Sequence, residues 1–306
     1  MNGILIVDKP QGMTSHAVVG RVRRLFGLRK VGHAGTLDPL ATGVLVVALG
    51  QATRILQYLM EENKVYRASL ILGKITDTQD SEGVVLAEHE TDHLKKEEIY
   101  AACMAMIGSY EQMPPMYSAL KKDGVPLYKL ARQGIEVARK TRPVTIFDLH
   151  TVSVAPPEIT FEVTCSKGTY VRTLCHDIGL KLGCGAHLTA LRRIQSAPFT
   201  EKEAVSLEDI EKASSEERHR FLLSIGEALR DYPAVGVCEE GIQKLRYGIP
   251  PTLDMVTEKV TLEEGTLALL VSNKGPLALA RYAPSREREA RGDFELLRVF
   301  NDAGGF

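Results

Sequence analysis

A glycine-rich segment, residues 32–43, contains the first side chain whose surroundings point to chemistry. Its single carboxylate is Asp38, within a Gly-Thr-Leu-Asp-Pro run. Glycines let a ligand or another backbone approach closely. The segment has neither the Gly-Lys-Ser/Thr of a phosphate-binding P-loop nor the G-x-G-x-x-G of a dinucleotide fold. Taken alone, an aspartate followed by proline is more often a turn residue than a catalytic one.

A second segment, residues 89–93, fits the H-E-x-x-H pattern of zinc metalloproteases, with His89 and His93 at its ends. That pattern binds zinc because its two histidines lie one turn apart on a helix. Here Thr91 or Asp92 is predicted to cap the helix that follows, which leaves His89 in a loop and breaks the geometry. The five cysteines have no C-x-x-C spacing. We therefore predict no metal site.

Charge is balanced over the whole chain but not along it. The totals of 38 Lys+Arg and 39 Asp+Glu give a net charge of −1, which by itself argues against a nucleic-acid partner. Residues 1–60 and 121–143 each carry seven bases and two acids, whereas residues 77–98 carry eight acids and two bases. Such segregation can make a basic face on a neutral protein, unless the basic and acidic segments pair within the fold. We expect the acidic segments, 77–98 and 201–220, to face away from the basic ones.

The elements that must position these residues alternate between short strands and helices. Apolar alternation predicts strands at residues 3–8, 44–49, 64–72, 144–154 and 159–166. Helical spacing predicts helices starting with a cap at Ser15, then over residues 53–60, 94–107 and 171–182, and within the acidic stretch 201–230. Between them, prolines, glycines and basic residues predict an extended basic excursion over about residues 114–142.

The length of 306 residues suggests two domains, and a change of character at Tyr232 marks the boundary. Beyond it, short strands are predicted at residues 256–262, 266–272, 277–282 and 294–300. The chain has no run of 18 apolar residues and its start lacks the features of a signal peptide. We therefore expect a cytoplasmic protein without a membrane span.

Seven segments, taken in order, carry a family resemblance. They are DKPQGMTS (8–15), the segment from Gly32 to Leu45, GQATRI (50–55), KVY (64–66), PPMYSA (114–119), KGTYVRT (167–173) and LRR (191–193). In this order, with the Gly-Thr-Leu-Asp-Pro core unaltered, they closely resemble the TruB family of tRNA pseudouridine synthases. The resemblance is dense from residue 3 to about residue 196. Over residues 232–306 it rests on strand pattern and position.

The resemblance implies an α+β pseudouridine synthase fold over residues 1–231, with a mixed, largely antiparallel sheet and flanking helices. It implies a small, β-barrel-like, RNA-binding PUA domain over residues 232–306. The basic excursion over about 114–142 resembles the loop with which the family grips RNA.

The implied reaction converts uridine 55 in the T-loop of tRNA to pseudouridine. It breaks the bond between uracil N1 and the ribose, turns the base and rejoins it through C5, without a cofactor. The base must first be flipped out of its stack at a cost of a few kcal/mol, and stacking on an aromatic ring, worth about 1–3 kcal/mol, offsets much of that.

By the same resemblance, Asp38 is the catalytic aspartate, acting as nucleophile or as general base. Arg172 pairs with it and favours its ionised form. Tyr66 stacks on the flipped uracil and takes part in deprotonation at C5. The other residues expected to contact the substrate are Lys9, His33, Lys64, Tyr170 and Leu191.

The expected partner is tRNA, bound by its T-arm and T-loop and selected by the folded shape of the loop. The protein is expected to act as a monomer, without a metal. The alternative is a tRNA-binding folding factor whose enzymatic role is secondary.

Overall fold

The computed structural model describes residues 1–258, 261–285 and 292–300. The strands before residue 140 are β1 (Gly3–Lys9), β2 (Val31–Ala34), β3 (Thr42–Leu49), β4 (Lys64–Leu72), β5 (Lys74–Thr76), β6 (Val85–Glu88), β7 (Gly108–Gln112), β8 (Lys121–Lys122) and β9 (Val125–Pro126). The later strands are β10 (Arg142–Ala155), β11 (Glu158–Cys165), β12 (Ala186–Ser196), β13 (Phe199–Thr200), β14 (Val205–Ser206), β15 (Leu222–Leu223), β16 (Ala234–Gly236), β17 (Leu267–Ser272), β18 (Gly275–Tyr282) and β19 (Phe294–Val299).

The helices are α1 (Ser15–Leu25), α2 (Leu56–Glu61), α3 (Lys96–Met104), α4 (Leu127–Ala131), α5 (Val171–Lys181), α6 (Leu207–Lys212), α7 (Ser215–His219), α8 (Ile225–Ala228) and α9 (Glu239–Arg246). Short 3₁₀ turns occur at Gly50–Ile55, Glu201–Glu203 and Leu253–Met255. None of the helices in the described ranges is both long enough and apolar enough to cross a membrane.

One eleven-stranded sheet forms the centre of the molecule. Its main path runs β14-β1-β3-β12-β4-β11-β10-β7, while β2 pairs with β3, β13 with β12 and β15 with β1. The pairs β1–β14 and β3–β12 are parallel, and the other pairs within its described strands are antiparallel. The expected α+β class, with a mixed and largely antiparallel sheet, is confirmed.

The central strands are apolar along their whole length because both faces of the sheet are covered. On β1, Leu5 and Val7 pack with the helices of one face, including Val18 of α1. The alternate residues Ile4 and Ile6 pack on the opposite face. That second core also contains residues from the end of the chain, namely Leu269, Leu279 and Phe300.

The residue that caps α1 lies one position before the predicted cap, Ser15. Thr14 is the cap, and its hydroxyl accepts a hydrogen bond from the Ala17 N–H at 3.1 Å. The buried Ser15 hydroxyl instead accepts from the Leu37 N–H at 2.8 Å and donates to the Leu37 carbonyl at 3.1 Å. Ser15 therefore ties α1 to the segment that carries Asp38.

Two other helical predictions were too long. The helix expected over 94–107 begins at Lys96, after Lys95 as cap, so neither Thr91 nor Asp92 caps it. The stretch 201–230 contains three short helices, separated in part by β15. Each helix is preceded by an N-cap serine whose hydroxyl accepts a hydrogen bond from the N–H three residues later. These serines are Ser206, Ser214 and Ser224. These caps divide the acidic stretch into helices of four to six residues.

The last part of the chain forms a separate four-stranded sheet in the order β16-β17-β18-β19. Three of its strands match the predictions to within two residues. The strand expected at 256–262 is absent from the described residues: Val256 makes one isolated bridge to Val237, and residues 259–260 lie outside the described ranges.

Candidate active site

A cavity of about 600 Å³ opens beside the root of the basic excursion. It is bordered by the loop between β2 and β3, by β4, by the start of α5 and by Ser118 and Ala119 of the excursion. Six of the residues predicted to act on the substrate line it: Asp38, Lys64, Tyr66, Tyr170, Arg172 and Leu191. The fold thus brings six of the predicted residues, which are far apart along the chain, to one cavity.

An ion pair between Asp38 and Arg172 forms the floor of this cavity. Arg172 Nε lies 2.9 Å from Asp38 Oδ2. The arginine side chain is only 4% exposed, whereas that of the aspartate is 38% exposed. Since Arg172 belongs to the first turn of α5 and Asp38 to the loop before β3, the carboxylate is held from below and left open on the cavity side.

The same guanidinium makes three further contacts. Nη1 lies 3.3 Å from Asp80 Oδ2 and donates to the Thr78 carbonyl at 2.9 Å, and Nη2 donates to the Tyr117 carbonyl at 2.8 Å. The buried Asp80 carboxylate also accepts from the Thr78 hydroxyl at 2.6 Å. Arg172 is therefore immobilised between two carboxylates and two backbone carbonyls.

Asp80 is a site residue that the sequence analysis missed. It lies in the acidic segment 77–98, which was expected to face away, and for Asp80 that expectation is wrong. Gln79 before it adopts a left-handed backbone with φ of 63°, and its carbonyl accepts from the Leu188 N–H at 3.0 Å. This anchored turn directs Asp80 inward, and a single sequence contains no signal that joins it to Arg172.

The surroundings raise the pKa of the Asp38 carboxyl above its ordinary value. Removal from bulk water is the largest cause, and the negative charge of Asp80 adds to it. The nearby Arg172 and Lys9 act in the opposite direction. Arg172 therefore favours the ionised form, as expected, but the surroundings taken together still raise the pKa.

Tyr66 of β4 lies beside the guanidinium of Arg193, a second buried arginine. The two residues are register partners on β4 and β12, and Arg193 is 1% exposed. Arg193 Nε donates to the Val44 carbonyl at 2.7 Å and Nη2 to the Gly35 carbonyl at 3.1 Å. Burial raises the pKa of Tyr66, although the positive charge of Arg193 opposes the shift. The LRR segment was noted in the sequence, but this role of Arg193 was not predicted.

Lys9 does not reach the cavity. Its buried ammonium donates to the carbonyls of Met13 at 2.7 Å, Pro10 at 2.8 Å and Pro39 at 3.4 Å. Burial lowers its pKa to about 8. In place of the expected substrate contact, Lys9 holds the backbone on the C-terminal side of Asp38.

Lys64 and His33 differ in their relation to the cavity. Lys64 lines it, donates to the carbonyls of Met60 at 2.7 Å and of Glu62, and has a pKa lowered to about 8 by burial. His33 lies on β2, half-buried and outside the lining, and burial lowers its pKa.

The H-E-x-x-H segment does not form a helical pair. His89 directly follows β6, and His93 lies in a turn before α3. Its spacing therefore does not place the two rings on one helical face.

The fold and the cavity define a pseudouridine synthase. A solved structure of an H/ACA RNP bound to a substrate RNA containing 2'-deoxyuridine is similar, with a TM-score of 0.76 and 25% sequence identity, over 99% of this chain and 87% of that chain. The chain belongs to the TruB family: the model of the N-terminal domain of TruB family pseudouridylate synthase matches residues 23–171, and that of the tRNA pseudouridylate synthase B C-terminal domain matches residues 172–231.

Two relatives extend the similarity to nearly the whole chain. A protein of Syntrophotalea carbinolica named tRNA pseudouridine synthase B is 72% identical over 304 residues, covering 99% of both chains. A protein of the same name from Geobacter sulfurreducens is 45% identical, covering 98% of this chain and all of its own. The family resemblance of the sequence motifs is confirmed.

Proposed function

We propose that this protein is a tRNA pseudouridine synthase that converts uridine 55 in the T-loop of tRNA to pseudouridine. The observation that carries the proposal is the Asp38–Arg172 ion pair of 2.9 Å at the floor of a cavity lined by Tyr66, in a member of the TruB family. The names of the two relatives support tRNA as the substrate.

In this proposal, Asp38 begins the reaction in its ionised form, as nucleophile or as general base. A carboxylate with a raised pKa is more basic than an ordinary one, and partial removal from water makes it more reactive. The bond between ribose C1' and uracil N1 breaks, and the base turns. A bond from C1' to C5 then forms, C5 loses its proton and N1 gains one.

The cavity walls receive the flipped base. The Tyr66 ring offers a stacking surface, and its raised pKa keeps the phenol protonated at neutral pH. Leu191 and Tyr170 line the cavity beside it. Stacking worth about 1–3 kcal/mol offsets the cost of taking the uracil out of the T-loop. Lys64 and His33 are proposed to contact the RNA near this base.

We propose that the T-arm of tRNA lies against the basic excursion, residues 114–142. Ser118, near the start of the excursion, and Arg142, at its end, line the cavity. We further propose a catalytic domain over residues 1–231 and a PUA-like RNA-binding domain over residues 232–306. The end of the second family match at residue 231 and the separate sheet of β16 to β19 support this division. The protein is proposed to act as a monomer in the cytoplasm.

Substitution of the proposed catalytic aspartate tests the function. We expect Asp38→Asn to abolish the release of tritium from tRNA labelled at uracil C5, while the Kd for tRNA in filter binding stays within about twofold of wild type. Asp148→Asn, at an exposed position of β10, is the matched control and is expected to retain full activity. Continued tritium release by Asp38→Asn would contradict the proposal for Asp38. Absence of release by the wild type, with tRNA binding intact, would favour the folding factor.

A further inference from the structure

The side chain of Gln112 occupies a junction between the basic excursion and the cavity. Gln112 is the last residue of β7, two residues before the excursion begins. Its register partner on β10 is Arg142, where the excursion returns. The glutamine is 1% exposed. A buried primary amide needs partners for both its carbonyl and its two N–H groups.

All of these partners belong to one chain of contacts. Gln112 Oε1 accepts from the Tyr170 N–H at 2.8 Å, and Nε2 donates to the Tyr170 carbonyl at 3.1 Å. The second N–H of Nε2 donates to the Tyr110 hydroxyl at 2.8 Å, which in turn donates to Asp177 Oδ2 at 3.3 Å. The backbone donor of Tyr170 fixes which end of the amide is the oxygen.

The position that Gln112 grips is the start of α5. Tyr170 is the residue before the first turn, and its own side chain makes no capping bond among the described residues. Its carbonyl already accepts from the Leu174 N–H at 3.0 Å, so Gln112 adds a second donor from outside the helix. Arg172 follows two residues later, and the Tyr170 side chain lines the cavity.

A second contact links the same two elements. Arg172 Nη2 donates to the carbonyl of Tyr117, which lies in the excursion five residues beyond Gln112. The first turn of α5 is thus held to the excursion at two places, by a side chain of the excursion root and by a backbone carbonyl within the excursion. Displacement of the root would move both the Tyr170 ring and the guanidinium that pairs with Asp38.

We propose that Gln112 is a positioning residue for the reaction. By clamping the peptide groups of Tyr170, it sets the first turn of α5 so that Arg172 meets Asp38 and the Tyr170 ring faces the cavity. It thereby couples the place where RNA is gripped to the place where the bond is broken. This inference rests on the proposed function, since it concerns the same cavity and the same substrate.

The test is single-turnover tritium release with excess enzyme and tRNA labelled at uracil C5. Gln112→Met keeps the length of the side chain and removes all of its hydrogen bonds. We expect its rate constant to fall about 10- to 100-fold, because misplacement of site groups by up to about 1 Å costs on this order. The Kd for tRNA in filter binding should stay within about twofold.

The division between rate constant and apparent Kd separates positioning from stability. A purely structural residue lowers the fraction of active enzyme, which raises the apparent Kd and lowers the amplitude once active enzyme no longer exceeds tRNA. A positioning residue lowers the rate constant at saturating enzyme. Tyr110→Phe is the matched control: it removes the bond from Gln112 to the Tyr110 hydroxyl and leaves the Tyr170 clamp in place. Its rate constant should stay within about threefold of wild type.

A second variant keeps the test possible if Gln112→Met does not fold. Gln112→Asn retains both polar groups, but it is one methylene too short to reach the Tyr170 peptide, so its rate constant should also fall at least tenfold. The proposal is overturned if a folded Gln112 variant keeps a rate constant within threefold of wild type, or if Tyr110→Phe is as slow as Gln112→Met. A wild-type enzyme that releases no tritium would overturn the proposed function instead. The role of Gln112 is tested by the ratio of the variant's rate constant to that of the wild type.

Discussion

Arg172 carries one positive charge and meets two carboxylates. Asp38 faces the cavity, whereas Asp80 is buried, so the two acids have different surroundings although they share one guanidinium. The second carboxylate holds the arginine in place, and its negative charge raises the pKa of the first. Asp80 thus acts on the pKa of Asp38 without lining the cavity.

Removal of the Asp80 charge tests this arrangement. Asp80→Asn weakens one contact of a buried guanidinium, a loss of about 1–3 kcal/mol, so we expect kcat to fall roughly 10- to 100-fold. The pKa of Asp38 should decrease, because a neighbouring negative charge is gone and Arg172 is left to pair with Asp38. The acidic limb of the pH–rate profile should therefore move to lower pH.

The measurement is tritium release between pH 5 and pH 9 at saturating tRNA. Asp92→Asn, an exposed position of the same acidic segment, provides the control and should follow the wild-type profile. A limb that moves to higher pH in Asp80→Asn would show that Asp80 does not act on Asp38 through its charge.

Lys9 gives a second prediction at this scale. Lys9→Met removes the donor shared by three backbone carbonyls, so we expect the free energy of unfolding to fall by about 1–3 kcal/mol. Because the ammonium lies outside the cavity, the Kd for tRNA should change less than twofold. Urea unfolding and filter binding are the measurements, with Lys181→Met at an exposed site as control. If Lys9→Met bound tRNA much more weakly but unfolded with an unchanged free energy, Lys9 would instead contact the substrate directly.

At the scale of the element, the strands with a clear apolar alternation were predicted well because that signal is local, whereas the central strand β12 was not predicted and the strand expected at 256–262 was wrong. The alternation over residues 64–72 and 159–166 matches β4 and β11 to within one residue. Helix boundaries were less accurate, since Thr14 and Ser15 are both able to cap and only the contact with Leu37 decides between them. Such a contact depends on packing between distant segments, and a single sequence does not show which distant segments pack together.

The residues of the candidate site likewise fall into those with a local sequence signal and those without one. Asp38, Tyr66 and Arg172 were found because each lies in a motif that resembles the family. Asp80 and Gln112 were missed because the first lies in a turn-like acidic stretch and the second ends an ordinary strand. Their importance comes from contacts with α5, across the fold.

The close pairing of β3 with β12 leads to a prediction about Gly43. It adopts φ of 96°, and a Cβ atom there would lie 2.3 Å from the Arg193 carbonyl oxygen. Gly43→Ala must therefore separate β3 from β12, and we expect it to cost roughly 3 kcal/mol or more of stability, with loss of activity. Gly134→Ala is the matched control: it has φ of 72° and open space around it, so about 1 kcal/mol is expected.

Thermal and urea unfolding of the two variants check this prediction. Equal losses of stability would mean that the left-handed backbone alone accounts for the cost and that the contact with β12 is unimportant.

At the scale of the whole molecule, the net charge of −1 conceals a basic excursion. Lys121 and Lys122 on β8 are both exposed, and no ion pair involves either of them in the described residues. We expect both to contact tRNA phosphates. Lys121→Ala/Lys122→Ala should therefore reduce the slope of log K against log salt by about 1.4–1.8, and leave kcat at saturating tRNA unchanged.

Filter binding at several salt concentrations measures that slope. Lys95→Ala/Lys96→Ala is the control, since these two exposed lysines lie within the acidic segment. If the two double variants gave the same slope, the excursion would not be where the RNA phosphates bind.

The partners of β1 have a consequence for synthesis on the ribosome. The strand is made first, yet it pairs with β14 through Val205 and with β15 through Leu222 and Leu223. At a translation rate of roughly 5–20 residues per second, the edge of β1 opposite β3 waits on the order of 10–45 seconds for these strands. An unpaired strand edge is a template for pairing with another chain, so this edge of the nascent chain is exposed to mispairing over that interval. Asp38 likewise meets its ion-pair partner only after Arg172 has been made.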